Sequence, residues 1–190
     1  MYYHFAILLL LRPFIKLRFI GSGVNPRELC VQAADAITTL VRSYDQLYTL
    51  QRTPSFVPYI TLGAALMHLV AGGSTPENPQ QIQQGVKDLK DMRLCHGFSK
   101  RGLDIMRYFA HIWHVPLGDE KLDAAGIKRM SELCGPDSSS NNLFCPNMGS
   151  GFSDMGPTSK LALFSPFPMQ GVPLMATGNK LLARDGFERI

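Results

Sequence analysis

From residue 135 to residue 190 the chain loses the means to bury a core. Those 56 positions hold 7 Gly, 6 Pro, 7 Ser and 4 Asn, with four basic residues balanced by four acidic ones. Turn and breaker residues at nearly every second position cannot repay the entropy of ordering the backbone. The expected organisation is therefore a folded body over 1–134 and a flexible Gly/Pro/Ser/Asn-rich tail over 135–190. Met148, Phe152, Met155, Phe164, Phe167 and Met169 are the kind of residues that dock on partners from a disordered segment. Activation segments of that type are acidic, however, and this stretch is neutral, so it reads as a dispensable tail. The whole formal charge of +4 belongs to the body.

The body opens on a second constraint. Phe5-Ala6-Ile7-Leu8-Leu9-Leu10-Leu11 is an uninterrupted apolar run, and Arg12, Lys16 and Arg18 follow it. A membrane-spanning helix needs about 20 apolar residues. A secretory signal needs a basic stretch before the run and small residues after it, and neither is present. The expectation is a buried helix with a narrow polar stripe of His4, Arg12 and Lys16. A helix apolar nearly all round belongs inside a larger structure. It also starts at Met1 with no capping residue before it. Body and helix together are therefore expected to be an incomplete part of a larger helical domain.

The rest of the body reads as helices. Asn25 can cap, Pro26 suits a first helical position, and Glu28 stands where a capping box places a carboxylate. Cys30, Ala34, Ile37, Val41, Tyr44 and Tyr48 then recur in alternating steps of four and three, which predicts an amphipathic helix to about Leu50. Arg52-Thr53-Pro54-Ser55 breaks it. Ser55 is the expected cap of a third, largely buried helix from Phe56 to Val70, ended by Gly72-Gly73. A fourth helix is expected over 80–95. A fifth is capped by Ser99 and runs to Val115, and a weaker sixth covers 119–133. No segment reads as a strand. The fold class is all-α, an antiparallel domain of five or six helices.

Sites of chemistry are sparse. Cys30, Cys95, Cys134 and Cys145 form no CxxC pair, so neither a disulfide scaffold nor a zinc site is indicated, and a reducing compartment is the simplest reading. His111 and His114 share a helical face without further ligands. No GxSxG is present, and Gly21-Ser22-Gly23 lacks the Gly-Lys-Ser/Thr of a phosphate loop. Cys30 and Cys95 fall in apolar helical patterns, as small hydrophobes do. Lys87, Lys90, Arg93, Lys100, Arg101 and Arg107 alternate with Asp88, Asp91 and Asp104, which describes a solvated mixed-sign face rather than a DNA-binding one. No catalytic, cofactor-binding or metal residues are expected, and the chain is not expected to be an enzyme.

Particular strings go further than periodicity. Tyr2-Tyr3-His4 followed by Leu9-Leu10-Leu11-Arg12-Pro13-Phe14 resembles the helix ending in an Arg-Pro-Phe element of the fungal-specific transcription factor domain. That domain is the middle homology region of fungal zinc binuclear-cluster transcription factors. Pro26-Arg27-Glu28-Leu29-Cys30 with Ala33-Ala34-Asp35-Ala36-Ile37 resembles its next helix. Arg52-Thr53-Pro54-Ser55-Phe56-Val57-Pro58-Tyr59 with Met67-His68-Leu69 resembles the third. Cys95-His96-Gly97-Phe98 with Arg101 and the Trp113 region is similar to the nitrate-assimilation-regulator subgroup. The resemblance covers about residues 2–117 and corresponds to the C-terminal part of the domain.

The resemblance implies a nuclear regulator of RNA polymerase II transcription. Zinc and DNA are held in that family by an N-terminal six-cysteine cluster, which these 190 residues do not contain. No cofactor is therefore expected in this chain, and neither direct DNA contact nor membrane association is expected of it. The implied partners are proteins: the rest of the transcription factor, a second copy, or the transcription machinery. Arg12 is a structural or regulatory candidate, because a charge on an otherwise apolar helix is costly unless paired. Glu28 and Asp35 are its candidate partners, and a helix-end Arg12 reaching water is the alternative. Two other readings stay open from the residues alone: a free-standing helical protein-interaction module without DNA binding, and an enzyme with an unrecognised helical site.

Overall fold

The computed structural model describes residues 1–15, 17–71, 78–112, 115, 117, 125–129, 183–184 and 186–189. Among them the class is helical as expected, with five helices of ten residues or more: α1 (Tyr2–Leu11), α2 (Pro26–Tyr48), α3 (Val57–Ala71), α4 (Asn78–Met92) and α5 (Gly97–Ile112). The loop expected over 72–79 is shortened by α4, which begins at Asn78; its residues 72–77, Trp113, His114, most of the sixth helix and residues 135–182 lie outside the described residues. A single turn of the sixth helix is seen at 125–129, where Ile127, like Val115 and Leu117, packs half-buried against the core. No helix among the described residues is long and apolar enough to cross a membrane.

α1 departs from expectation twice. It stops at Leu11, before reaching Lys16, because Pro13 has no N–H to continue the ladder and its ring crowds the preceding turn. Arg12–Phe14 tighten into a 3-10 turn, with the Arg12 N–H still donating to the Leu8 carbonyl. Nor is α1 buried: only Leu8 is fully covered, while Tyr2, Tyr3 and Leu10 are 63%, 72% and 69% exposed.

α2 forms as its sequence signals require. The Asn25 side chain accepts from the Arg27 N–H at 3.1 Å, and Asn25 Nδ2 donates to Glu28 Oε1 at 2.9 Å. Its inner face is Cys30, Ala33, Ala34, Ile37, Thr38 and Val41. The helix ends on Thr49, which adopts φ 68° and ψ 145°. A β-branched residue there costs about 1–3 kcal/mol. Asp45 offsets this by accepting from the Thr49 N–H with its carbonyl and from the Leu50 N–H with its carboxylate, both at 3.2 Å.

α3 is the centre of the molecule. Every residue from Ile60 to Val70 is buried, and the helix packs against α1, α2, α4 and α5. Its first turn is closed by the Val57 N–H donating to the Pro54 carbonyl and the Ile60 N–H donating to that of Phe56. α3 and α4 cross at very short range at Gly85, where a Cβ would lie 2.7 Å from the Ala65 Cβ. The turn 93–96 then leads into α5, which begins two residues before Ser99. Ser99, the expected cap, is instead fully buried inside the first turn.

A small ribbon was not foreseen. β1 (Leu17–Phe19) pairs antiparallel with β2 (Phe187–Arg189), in the register Leu17↔Arg189, Arg18↔Glu188, Phe19↔Phe187. Strands of three residues are too short to show an alternating pattern, and the two partners stand at opposite ends of the sequence. The expected tail is thus anchored to the body at its far end.

Candidate functional site

Three sets of buried or partly buried polar groups stand out among the described residues. The first lies between α2 and α3. His68 is fully buried, and its Nε2 is 3.2 Å from Thr38 Oγ1. The single Thr38 hydroxyl proton is donated to the Ala34 carbonyl at 3.0 Å. Thr38 Oγ1 therefore accepts from Nε2–H, which leaves Nδ1 with the lone pair. Nδ1 is buried without a hydrogen bond and stands 3.8 Å from Asp35 Oδ1. Burial holds the His68 pKa below the usual histidine value, against the opposing pull of the Asp35 charge and the Ala34 carbonyl. The ring is neutral at pH 7. With no exposed atom it acts as a packing and positioning element between helices, out of reach of a substrate.

The second set lies on α4. Asp88 is 2% exposed, and Gln84 Nε2 donates to its Oδ1 at 2.6 Å. Asp88 Oδ2 and Gln81 Oε1 on α4, and Ser99 Oγ on α5, are buried without a hydrogen-bond partner. Burial pushes the Asp88 carboxyl up to about 6. The Gln84 hydrogen bond and the Arg42 charge work against that rise, while Asp45 and Asp91 add to it. The expected mixed-sign solvated face thus loses one of its acids to the interior. Its other members keep their place: Lys87, Arg93, Lys100 and Arg101 are exposed, and Arg107 Nη1 donates to Asp104 at 3.3 Å. No periodicity signals Asp88, because it sits at the edge of the apolar stripe Ile82, Val86, Leu89 and Met92.

The third set ties the turn before α5 to the segment before α3. His96 Nε2 lies 2.8 Å from the Thr53 carbonyl and 3.1 Å from Thr53 Oγ1. The Thr53 hydroxyl donates to the Leu50 carbonyl at 3.2 Å. Beside it Tyr59 and Phe98 stack with ring centroids 3.6 Å apart. In the sequence Thr53, Tyr59, His96 and Phe98 belong to separate strings. The fold brings them together into one clasp.

The sequence-derived candidates sit near the start of α2 and the end of α1. Arg12 is half-buried at the foot of α1, and Glu28 is exposed and engaged by Asn25. Asp35 is half-exposed and faces His68. Arg12 lies close enough to Cys30 to oppose the burial that pushes that thiol up to about 12. Cys30 is therefore the inert small hydrophobe expected of it. Cys95 is exposed in the turn after α4, which corrects its assignment to an apolar helical face. No three His, Cys, Asp or Glu side chains gather as a metal site among the described residues.

Two characterised proteins are similar to this chain. The nitrogen assimilation transcription factor nit-4 of Neurospora crassa is 32% identical over 145 residues, or 74% of this chain and 13% of that protein. The nitrogen assimilation transcription factor nirA of Emericella nidulans is 32% identical over 126 residues, or 63% of this chain and 14% of that protein. The chain thus matches a small part of each transcription factor. No family model and no solved structure matches it.

Proposed function

We propose that this chain is a helical regulatory piece of a fungal RNA polymerase II transcription factor, related to the zinc binuclear-cluster family and acting in the nucleus through protein partners. The observation that carries the reading is the 32% identity to nit-4 over 145 residues. The ordered strings from Tyr2-Tyr3-His4 to Cys95-His96-Gly97-Phe98 support it. In this reading zinc and DNA belong to other segments of such regulators. The helical body restrains or presents a regulatory surface by shifting between packed states that a partner or metabolite biases. A buried, neutral His68 and a hydrogen-bonded Thr38 fit such a scaffold role better than catalysis.

The test is a reporter assay in which the full chain is fused to a heterologous DNA-binding module. The reading predicts output shifted up or down from that of the module alone, with the fusion in the nucleus. Output equal to that of the module alone would overturn it. The pairing of Arg12 with Glu28 or Asp35 belongs to the same proposal. Removing one partner leaves the other charge uncompensated, so Arg12→Met should lower stability by about 1 kcal/mol or more in denaturant titration. Unchanged stability would remove the pairing.

A further inference from the structure

The far end of the chain is held against its beginning by two kinds of contact at one place. The first is main chain. β2 lies antiparallel on β1, and the Ile20 N–H donates to the Gly186 carbonyl at 2.9 Å just beyond the paired residues. The second is aromatic. The Phe187 ring stacks on Phe14 at 5.6 Å and 12° and meets Phe19 at 5.5 Å, while Phe14 and Phe19 stand 6.1 Å apart. At the same place Glu188 stands opposite Arg18 in the register, and both side chains are exposed, so the strand presents a cation beside the aromatic pair. Residues directly opposite on an antiparallel pair are close enough for opposite charges to attract.

The arrangement has the parts of a peptide site. An extended segment adds to a strand through its backbone, and alternate side chains supply selectivity, one turned to the aromatic pair and the next to the cation. The ribbon is also weak. Its strands have three residues each, and a two-stranded ribbon is marginal by itself. Gly186, at φ +86°, brings the chain into the pairing through a conformation that glycine adopts freely. The core of α2, α3, α4 and α5 is built from other residues, so the pairing can open while that core stays closed.

We propose that β1, together with Phe14, Phe19 and Arg18, is a docking site for an extended peptide bearing an aromatic residue followed by a carboxylate. The chain's own Phe187-Glu188 is its resident occupant, a reversible intramolecular latch that a partner segment of the same chemistry displaces. The proposal rests on the ribbon alone and is independent of the transcriptional reading.

The probe is a fluorescent synthetic octapeptide with the sequence of residues 183–190, titrated by anisotropy into the full chain and into full-length Phe187→Ala. A tethered occupant competes at an effective concentration on the order of 1 mM, so the peptide should bind Phe187→Ala at least about tenfold more tightly than the unchanged chain. Adding Arg18→Glu to Phe187→Ala should weaken binding, and a peptide carrying Glu188→Lys should restore it. Equal binding to both chains, absent binding to Phe187→Ala, or failure of the charge swap would overturn the proposal. Phe187 stands outside the helical core, and an unchanged helical circular dichroism spectrum verifies that the variant is folded. In a second measurement the Ile20 amide should exchange faster in full-length Glu188→Lys than in the unchanged chain, and unchanged exchange there would also overturn the latch.

Discussion

α1 and α3 are the two most apolar helices of the molecule, and their surroundings differ sharply. α3 is buried along every residue from Ile60 to Val70, whereas α1 buries only Leu8 completely. The difference lies in the neighbours. α3 is packed by α1, α2, α4 and α5, while among the helices described α1 packs mainly on α2 and α3. Tyr3, Ala6 and Leu10 follow one another on the outward face of α1 and remain exposed. An apolar surround therefore says that a helix can be enclosed, and its packing partners decide whether it is.

The contrast can be broken most easily at its buried end. Leu69 is fully buried on α3. Leu69→Ala should cost about 2–5 kcal/mol in denaturant unfolding, through lost transfer energy and the cavity left behind. A cost below about 1 kcal/mol would mean that the α3 core is loosely packed.

Acid titration sharpens the picture inside the core, because two buried groups pull in opposite directions. The folded-state pKa of Asp88 is raised from 3.8 to about 6. The folded protein therefore binds that proton more tightly than the unfolded chain, and Asp88 contributes stability as pH falls from above 6 towards 4. The gain is at most about 3 kcal/mol. His68 has a lowered folded-state pKa, so its contribution is complete above about 6.5 and is lost as pH falls below that. Asp88→Asn should raise stability at pH 7 and leave only the acid destabilisation from His68 and the other carboxylates. Unfolding curves at pH 7 and pH 5 for the two chains check this, and an unaltered pH dependence would contradict it.

The helix crossing supplies a smaller effect. At Gly85 an added methyl meets the Ala65 Cβ at 2.7 Å, a contact without a flexible side chain to yield. Gly85→Ala should destabilise by about 1–3 kcal/mol as α3 and α4 are forced apart. The smallest effect is expected on the outer face of α1. Leu10→Gln replaces a side chain that is 69% exposed, and thermal unfolding should move by no more than about 0.5 kcal/mol equivalent. A large loss there would mean that the outer face of α1 is covered in solution.

Local signals read well where local chemistry decides the outcome. Asn25, Pro26 and Glu28 announce the start of α2, and its 3–4 spacing marks the face that carries Cys30, Ile37 and Val41. Pro13 marks the end of α1 within two residues. What stayed hidden depends on distant partners. β1 cannot be recognised from Leu17-Arg18-Phe19 without Phe187-Glu188-Arg189 beside it. Asp88 looks like any member of an alternating charge series until α2 is placed next to α4. His68 sits inside an apolar run that predicts its burial, but its Thr38 and Asp35 neighbours lie on another helix. Of the residues singled out from sequence, Asp35 is the one the fold brings to a buried polar group, and the Thr53–His96 clasp was missed because nothing in either string points to the other.

Residue-resolved amide hydrogen exchange on the full chain at pH 7 tests the contrast between α3 and α1 most directly. Exchange from a fully enclosed helix requires global unfolding, whereas exchange from an edge element needs only local opening. The account predicts the slowest exchange in α3 from Ile60 to Val70, with α1 and the β1–β2 pairing faster by roughly a hundredfold or more. Protection of α1 equal to that of α3 would contradict it.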